Sequence, residues 1–326
     1  MRYVVFGAGA IGGSLGGKLA AAGKEVALIA RGAHLEALRG GGLELADPAG
    51  SERYELPAFS SPAEAGLGEG DLVVLAVKSQ QTREALESLA LALGPLVDQV
   101  PVVCAQNGVA NEMMALRLFP EVYGMRVVVV ASHLEPGLVE LATSPVFGLL
   151  DVGRAPRGSD ATAERVAADL TEAGFDARAS EEVMSLKYLK LLGNLANALE
   201  AACGPGLGEG PVQRLLERAR AEALEVYRAA GIVPADEEAD KERRRRLGPL
   251  RPPGGGPRGG GSSWQSLARR TGEIETDYLN GEIVLLGRVH SIATPVNSLL
   301  QQVARELAAG RRPPGSLSPA ELSARL

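Results

Sequence analysis

Gly7, Gly9 and Gly12 stand at the spacing Gly-x-Gly-x-x-Gly, directly after the apolar run Tyr3-Val4-Val5-Phe6. Glycines so placed serve a pyrophosphate: Gly7 permits a tight turn, Gly9 lets the backbone approach the phosphates, and Gly12 lets the next helix pack against the strand. That helix points its first N–H groups at the anion, so Gly7, Ala8, Gly9, Ala10, Ile11 and Gly12 are the expected cofactor-binding residues. The second strand, Glu25 to Ala30, ends at Arg31, and the first carboxylate after it is Glu36. A free ribose 2′-hydroxyl is met by Asp or Glu about 20 residues after the glycines. A guanidinium instead forks onto phosphate oxygens, so Arg31 predicts a 2′-phosphate and NADP (NADPH) as cofactor.

The second half holds three further groups. Lys187, Lys190, Asn194 and Asn197 recur at spacings of 3, 4 and 3 among Leu186, Leu189, Leu191, Leu192 and Leu195. At about 3.6 residues per turn they share one helix face. Two readings stand: a polar stripe lining a substrate site, or the wet face of an amphipathic helix. Ser262-Ser263 follow a Gly-rich stretch, where a serine caps a helix or meets a ligand. Glu275 lies 12 residues beyond Ser263, within Glu273-Ile274-Glu275-Thr276-Asp277; the acids form either a solvated face or one wall of a site.

The elements that must position these groups change character along the 326 residues. Strand and helix patterns alternate through the first half: Asp71 to Val77 and Val100 to Ala105 are apolar throughout, as buried parallel strands are. Gly42–Leu45 and Tyr54–Leu56 read as a hairpin-like excursion. Beyond about residue 180 the pattern is helical, with Glu181 to Ala202 as one long helix. The expected fold is α/β, an N-terminal Rossmann dinucleotide-binding domain over 1–175 and a C-terminal all-helical substrate and dimerisation domain over 176–326. Residues 248–261, rich in Gly and Pro, read as a loop and a candidate lid, and Arg243 to Arg246 before them as a solvated loop. A net charge of −6 gives no support for nucleic acid. No apolar stretch approaches the ~20 residues of a membrane helix. Two cysteines and scattered His34, His133 and His290 argue for a reduced, cytoplasmic protein without a metal. A homodimer is an expectation by analogy only.

Taken in order, several segments resemble the ketopantoate reductase (2-dehydropantoate 2-reductase) family: the glycine turn, Val77-Lys78, Gln106-Asn107-Gly108, Tyr188-Leu189-Lys190-Leu191-Leu192-Gly193-Asn194, Ser262-Ser263, and Glu275-Thr276-Asp277-Tyr278-Leu279-Asn280-Gly281. The resemblance implies NADPH-dependent reduction of a 2-oxo acid, first of all 2-dehydropantoate to pantoate, a step of pantothenate biosynthesis. The alternatives are a relative acting on another 2-oxo or 3-hydroxy acid, or a catalytically silent nucleotide-binding relative. It implies Lys190 as proton donor, with Tyr188 where the family more often has Trp, and Glu275 as the second catalytic residue, also on the cofactor side. Asn194, Asn197, Ser263 and Asn107 are implied on the substrate, and Lys78 and Asn107 on the cofactor. The family's second helix Asn falls on Ala198, one residue past Asn197, which implies a local irregularity in the helix or a substrate held differently. Of the two lysines, Lys187 is expected nearer the helix start, exposed and dispensable.

Overall fold

The structure, a computed structural model, describes residues 1–205, 210–251, 253 and 260–325; of the loop expected at 248–261, residues 252 and 254–259 lie outside the described residues. The chain divides into two compact units. The first comprises Met1–Gln106, Ala110–Leu186 and Asp236–Pro257, and the second Asn107–Val109, Lys187–Ala235 and Arg258–Leu326. The main division therefore falls inside the helix Val183–Asn194 rather than at 175/176.

The first unit carries twelve strands among the described residues: β1 (Arg2–Phe6), β2 (Val26–Ile29), β3 (Leu43–Asp47), β4 (Gly50–Tyr54), β5 (Ala58–Phe59), β6 (Asp71–Leu75), β7 (Val102–Cys104), β8 (Val122–Val128), β9 (Ala131–Ser132), β10 (Leu138–Leu141), β11 (Leu149–Arg154) and β12 (Asp176–Ala179). Eight form one sheet in the order β12-β11-β8-β7-β6-β1-β2-β5, parallel except where β11 runs against β8. Val4, Val73 and Val102 are wholly buried, which is why these strands are apolar on both faces. Chain order reverses at β1, which pairs with β2 on one side and β6 on the other. Ligands of open α/β sheets bind outside the carboxyl ends of the strands at such a reversal.

The expected hairpin is present as β3 and β4, and it belongs to a second sheet, β4-β3-β10-β9, that sequence patterning did not anticipate. The helix Ala10–Ala21 runs between the sheets, and its small residues are what let it fit. A methyl group at Gly13 would lie 2.7 Å from Val139, one at Gly16 2.9 Å from Leu28, and one at Gly17 3.0 Å from Leu45.

The segment Asp236–Pro257 returns to the first unit, and buried charge fastens it there. Arg126 on β8 is 1% exposed and bonds Asp151 on β11 (2.6 Å) and Asp240 in the helix Glu237–Arg244. Arg243 of the same helix bonds Asp151 and Asp176. The arginine run is thus partly helical and ion-paired, not the solvated loop its composition suggests. Arg243 lies beside the sheet carboxylates, and they neutralise it.

The second unit is helical. Its elements include the rest of Val183–Asn194, then Ala196–Cys203, Pro211–Ala229, Ser262–Ala268, Asn280–Val289, Pro295–Ala309 and Pro319–Ser323. Leu191, Leu199, Ala223, Val226, Ile283, Val296 and Ala304 form its wholly buried interior. Among the described residues no helix is long and apolar enough to cross a membrane.

Candidate active site

In the first unit the expected cofactor residues gather at the carboxyl ends of adjacent strands. Gly7 follows β1 with φ +104°, and a Cβ there would lie 2.7 Å from Val77 N. A Cβ at Gly12 would fall 2.1 Å from Gly7 O and 2.8 Å from Val5 Cγ1. At Gly9 the nearest atom would be His133 Cδ2, at 4.0 Å, so the backbone is bare on that side. Gly9 is also the N-cap of Ala10–Ala21, with no side-chain cap and no acidic residue in the first turn. Open N–H groups and absent carboxylates are the conditions for an anion at a helix start. Arg31 is exposed at the end of β2, and Lys78 follows β6 in extended conformation.

A polar network that sequence reasoning missed supports Lys78 and the end of β7. Gln106 Nε2 donates to Val77 O (2.8 Å) and to Thr82 Oγ1 (2.7 Å). The Thr82 hydroxyl donates to Asn111 Oδ1 (2.8 Å), and Asn111 Nδ2 donates to Ser79 Oγ (3.2 Å). Thr82, Asn111 and Ser79 are at most 1% exposed. Buried and mutually bonded, such groups hold one arrangement of the backbone they touch. Their signal in the sequence was polar residues just past two apolar strands.

In the second unit the central contact is Lys190 Nζ donating to Asn107 Oδ1 at 2.7 Å. Gly108, with φ +76°, lets the chain turn directly after Asn107, and a Cβ there would lie 2.8 Å from Tyr278 O. This places Asn107 against the 3₁₀ turn Glu275–Tyr278. Of the three acids in that region, Glu273 and Asp277 are exposed and Glu275 is buried, so the solvated-face reading fails for Glu275 alone. Ser263 and Glu275 do not share a helix: Ser263 sits in Ser262–Ala268 and Glu275 in the 3₁₀ turn. Arg269, unremarked in the sequence, feels the Glu275 charge; burial pushes its guanidinium down and Glu275 opposes the shift.

Asn194 is half-buried one turn beyond Lys190, with its Oδ1 enclosed and making no hydrogen bond. The long helix expected to run to Ala202 breaks at Leu195 into Val183–Asn194 and Ala196–Cys203. Asn280 Nδ2 donates to Leu195 O (3.4 Å) at the break and to Asn297 Oδ1 (3.1 Å), so a buried amide pair serves the interrupted carbonyl. Beyond the break, Asn197 Nδ2 donates to Ser262 Oγ (3.2 Å) and Glu200 Oε2 accepts from Gly261 N–H (2.9 Å). Together they hold the start of the Ser263 helix. Gly261, not a serine, is its N-cap, and Ser263 is 2% exposed. Ala198 is buried.

Lys187 departs from expectation. It is 3% exposed, on the same stripe as wholly buried Val183, Leu191 and Leu195, spaced four residues apart. The helix turns residue 187 inward, and the weak preference of cations for exposure near a helix start yields to that packing. Tyr188 meets Tyr227 edge to face at 5.3 Å, and Tyr227 Oη donates to Tyr188 O (3.1 Å). Among the described residues no group of His, Cys, Asp and Glu could hold a metal ion.

Comparison with known proteins identifies the family. Residues 3–155 match the family model described as ketopantoate reductase PanE/ApbA, and residues 182–308 match the model of its C-terminal part. A 2-dehydropantoate 2-reductase of Halobacterium salinarum is 30% identical over 313 residues, 94% of this chain and 98% of that protein. The crystal structure of a PanE/ApbA family ketopantoate reductase from Ralstonia eutropha JMP134 is similar with a TM-score of 0.78 at 31% identity, covering 95% of this chain and 99% of that one. A D-mandelate dehydrogenase solved with NADH and anilino(oxo)acetate shares the fold, with a TM-score of 0.80 at 23% identity over 95% of this chain and 99% of its own. Matched in both of its halves and along nearly its whole length, the chain belongs to the ketopantoate reductase family of oxidoreductases.

Proposed function

We propose that this chain reduces 2-dehydropantoate to pantoate with NADPH, and that Lys190 is the acid. The Lys190–Asn107 bond at 2.7 Å carries the reading. It sets a flexible ammonium at one place beside the buried Glu275 segment, and Asn107 is neutral, so it orients Lys190 without taking its proton. The bound cofactor supplies a hydride to C2 of the oxo acid. As the carbonyl oxygen gains charge, Lys190 stabilises it and transfers a proton from Nζ, leaving the 2-hydroxy acid. Asn194, one turn beyond Lys190, is assigned to the substrate, to which its amide N–H can donate. Ser263 is assigned to its carboxylate, and Asn197 to the same site, where it also fixes Ser262. The turn from Gly7 to Gly12, Lys78 and Asn107 are assigned to the cofactor, Glu275 to its ribose or to Lys190, and Arg31 to the 2′-phosphate.

One observation favours a second reading, a different 2-oxo acid: Ala198 stands where the family pattern has an Asn. A panel of 2-oxo acids decides between them. Turnover of 2-dehydropantoate within about tenfold of the best compound supports the first reading, since that margin is only about 1.4 kcal/mol. A larger deficit selects the second. In the same assay NADPH is expected to serve far better than NADH, with Arg31→Ala narrowing the difference; equal use of both by the native chain would remove the 2′-phosphate assignment.

A further inference from the structure

Beside the glycine turn lies a pair of histidines that the reaction does not use. His34, in the helix Gly32–Gly41, brings Nε2 to 2.7 Å from Ala8 O, the carbonyl between Gly7 and Gly9. Its other nitrogen, Nδ1, accepts from Gly137 N–H at 3.0 Å. A neutral imidazole has one donor and one acceptor nitrogen. Because Nδ1 accepts, Nε2 carries the proton and donates to Ala8 O. His133 lies against this ring, centroids 4.2 Å apart, and its Nδ1 meets Leu138 O at 3.0 Å. The same His133 ring supplies the atom nearest to where a Gly9 Cβ would project.

We propose that His34 is the positioning residue of the dinucleotide turn, a neutral imidazole strap between Ala8 and Gly137 that holds the turn in its binding shape and releases it on protonation. The inference rests on the reading of this turn as the cofactor site. A protonated Nδ1 becomes a donor facing the Gly137 N–H, so the strap cannot keep both bonds. Burial and then the neighbouring His133 hold the His34 imidazole below its ordinary value, while the Ala8 bond opposes them. His133 is the titratable group packed against it, its ring tilted by 51°. Arg31, the N-cap of its helix, Glu36 on that helix and Glu135 beside Gly137 are exposed, and Glu140 on β10 accepts from Ser132 Oγ at 2.7 Å.

The test is calorimetric titration of NADP⁺, which survives acid, into the native chain, His34→Ala, His34→Gln and His34→Asn at pH 8 and pH 5.5. At pH 8, His34→Ala is expected to raise Kd tenfold or more. His34→Gln restores most of the loss, because its amide reaches the Nε2 position, and His34→Asn does not. Between pH 8 and 5.5 the native Kd rises more than that of His34→Gln, a difference that cancels the titration of the NADP⁺ phosphate itself. Equal affinity of the native chain and His34→Ala, or parallel pH responses of the native chain and His34→Gln, overturns the proposal. If His34→Ala does not fold, the Gln and Asn variants decide it, and equal affinity of those two overturns it. A native chain that binds no NADP⁺ overturns the cofactor reading and the strap with it, a result distinct from binding that ignores His34.

Discussion

A methyl group added at Gly9 meets nothing nearer than 4.0 Å, whereas one at Gly12 meets Gly7 O at 2.1 Å. Gly9→Ala should therefore keep the thermal midpoint within a few degrees yet weaken NADPH binding at least tenfold, because the added carbon occupies the approach to the pyrophosphate. Gly12→Ala should lower the midpoint itself; equal effects of the two on stability would refute the distinction. The lysines separate in the same way. Lys190→Ala is expected to lower kcat by on the order of 10² or more, the scale of a positioned acid, with the chain still folded. Lys187 belongs to the buried Val183–Leu191–Leu195 stripe, so Lys187→Ala should cost on the order of 2 kcal/mol, as truncation of a buried long side chain does. Denaturant unfolding with steady-state kinetics on both variants checks this. A fully stable Lys187→Ala would place that side chain elsewhere.

The helix Glu237–Arg244 is among the most polar in the chain, yet it is fastened by charge to β8, β11 and β12. Arg126 is held between Asp151 and Asp240, and removing Asp240 leaves the buried cation with one carboxylate, Asp151, which it shares with Arg243. Asp240→Ala should then destabilise the first unit by about 3–5 kcal/mol. The paired replacement Arg126→Met with Asp240→Leu should recover most of that, since an apolar pair of similar volume needs no compensation. Urea unfolding of the three variants decides it, and failure of the double variant to exceed the single one would show the ions to be needed as ions.

At the scale of the whole molecule, stability should fall in acid by two routes. His34 has its imidazole lowered by burial and by His133. The native state keeps it neutral while the unfolded chain protonates below about 6.5; this contribution is complete above that pH and is lost as pH falls toward the lowered folded value. Asp240 and Asp176 are also lowered. Burial acts to raise them, and Arg244 with Arg126 at the first, and Arg243 at the second, outweigh it. Their contribution is complete above the ordinary Asp value near 3.8 and is lost as pH falls through their lower folded values. Thermal midpoints measured from pH 8 to pH 3 should show both losses. His34→Gln should remove the first and leave the second; a native profile flat between pH 7 and 5 would count against the neutral His34.

The glycine turn, the apolar strands and the helical second half were legible because each is local. A turn needs its glycines in sequence, a buried parallel strand is apolar throughout, and a helix face repeats every few residues. Asn107, Lys190 and Glu275 were named from motif order, yet nothing local sets Asn107 and Lys190 2.7 Å apart across 83 positions of chain. The fate of the polar stripe was likewise decided in three dimensions. Lys187 turned inward, Asn197 bonded Ser262, and the helix broke at Leu195 where Asn280 reached its carbonyl. Composition made Arg243 a loop residue, whereas Asp151 and Asp176, distant in sequence, made it part of an ion-paired helix. Periodicity shows which residues share a face. Which face is buried, and against which charge, depends on partners that only the folded chain brings near.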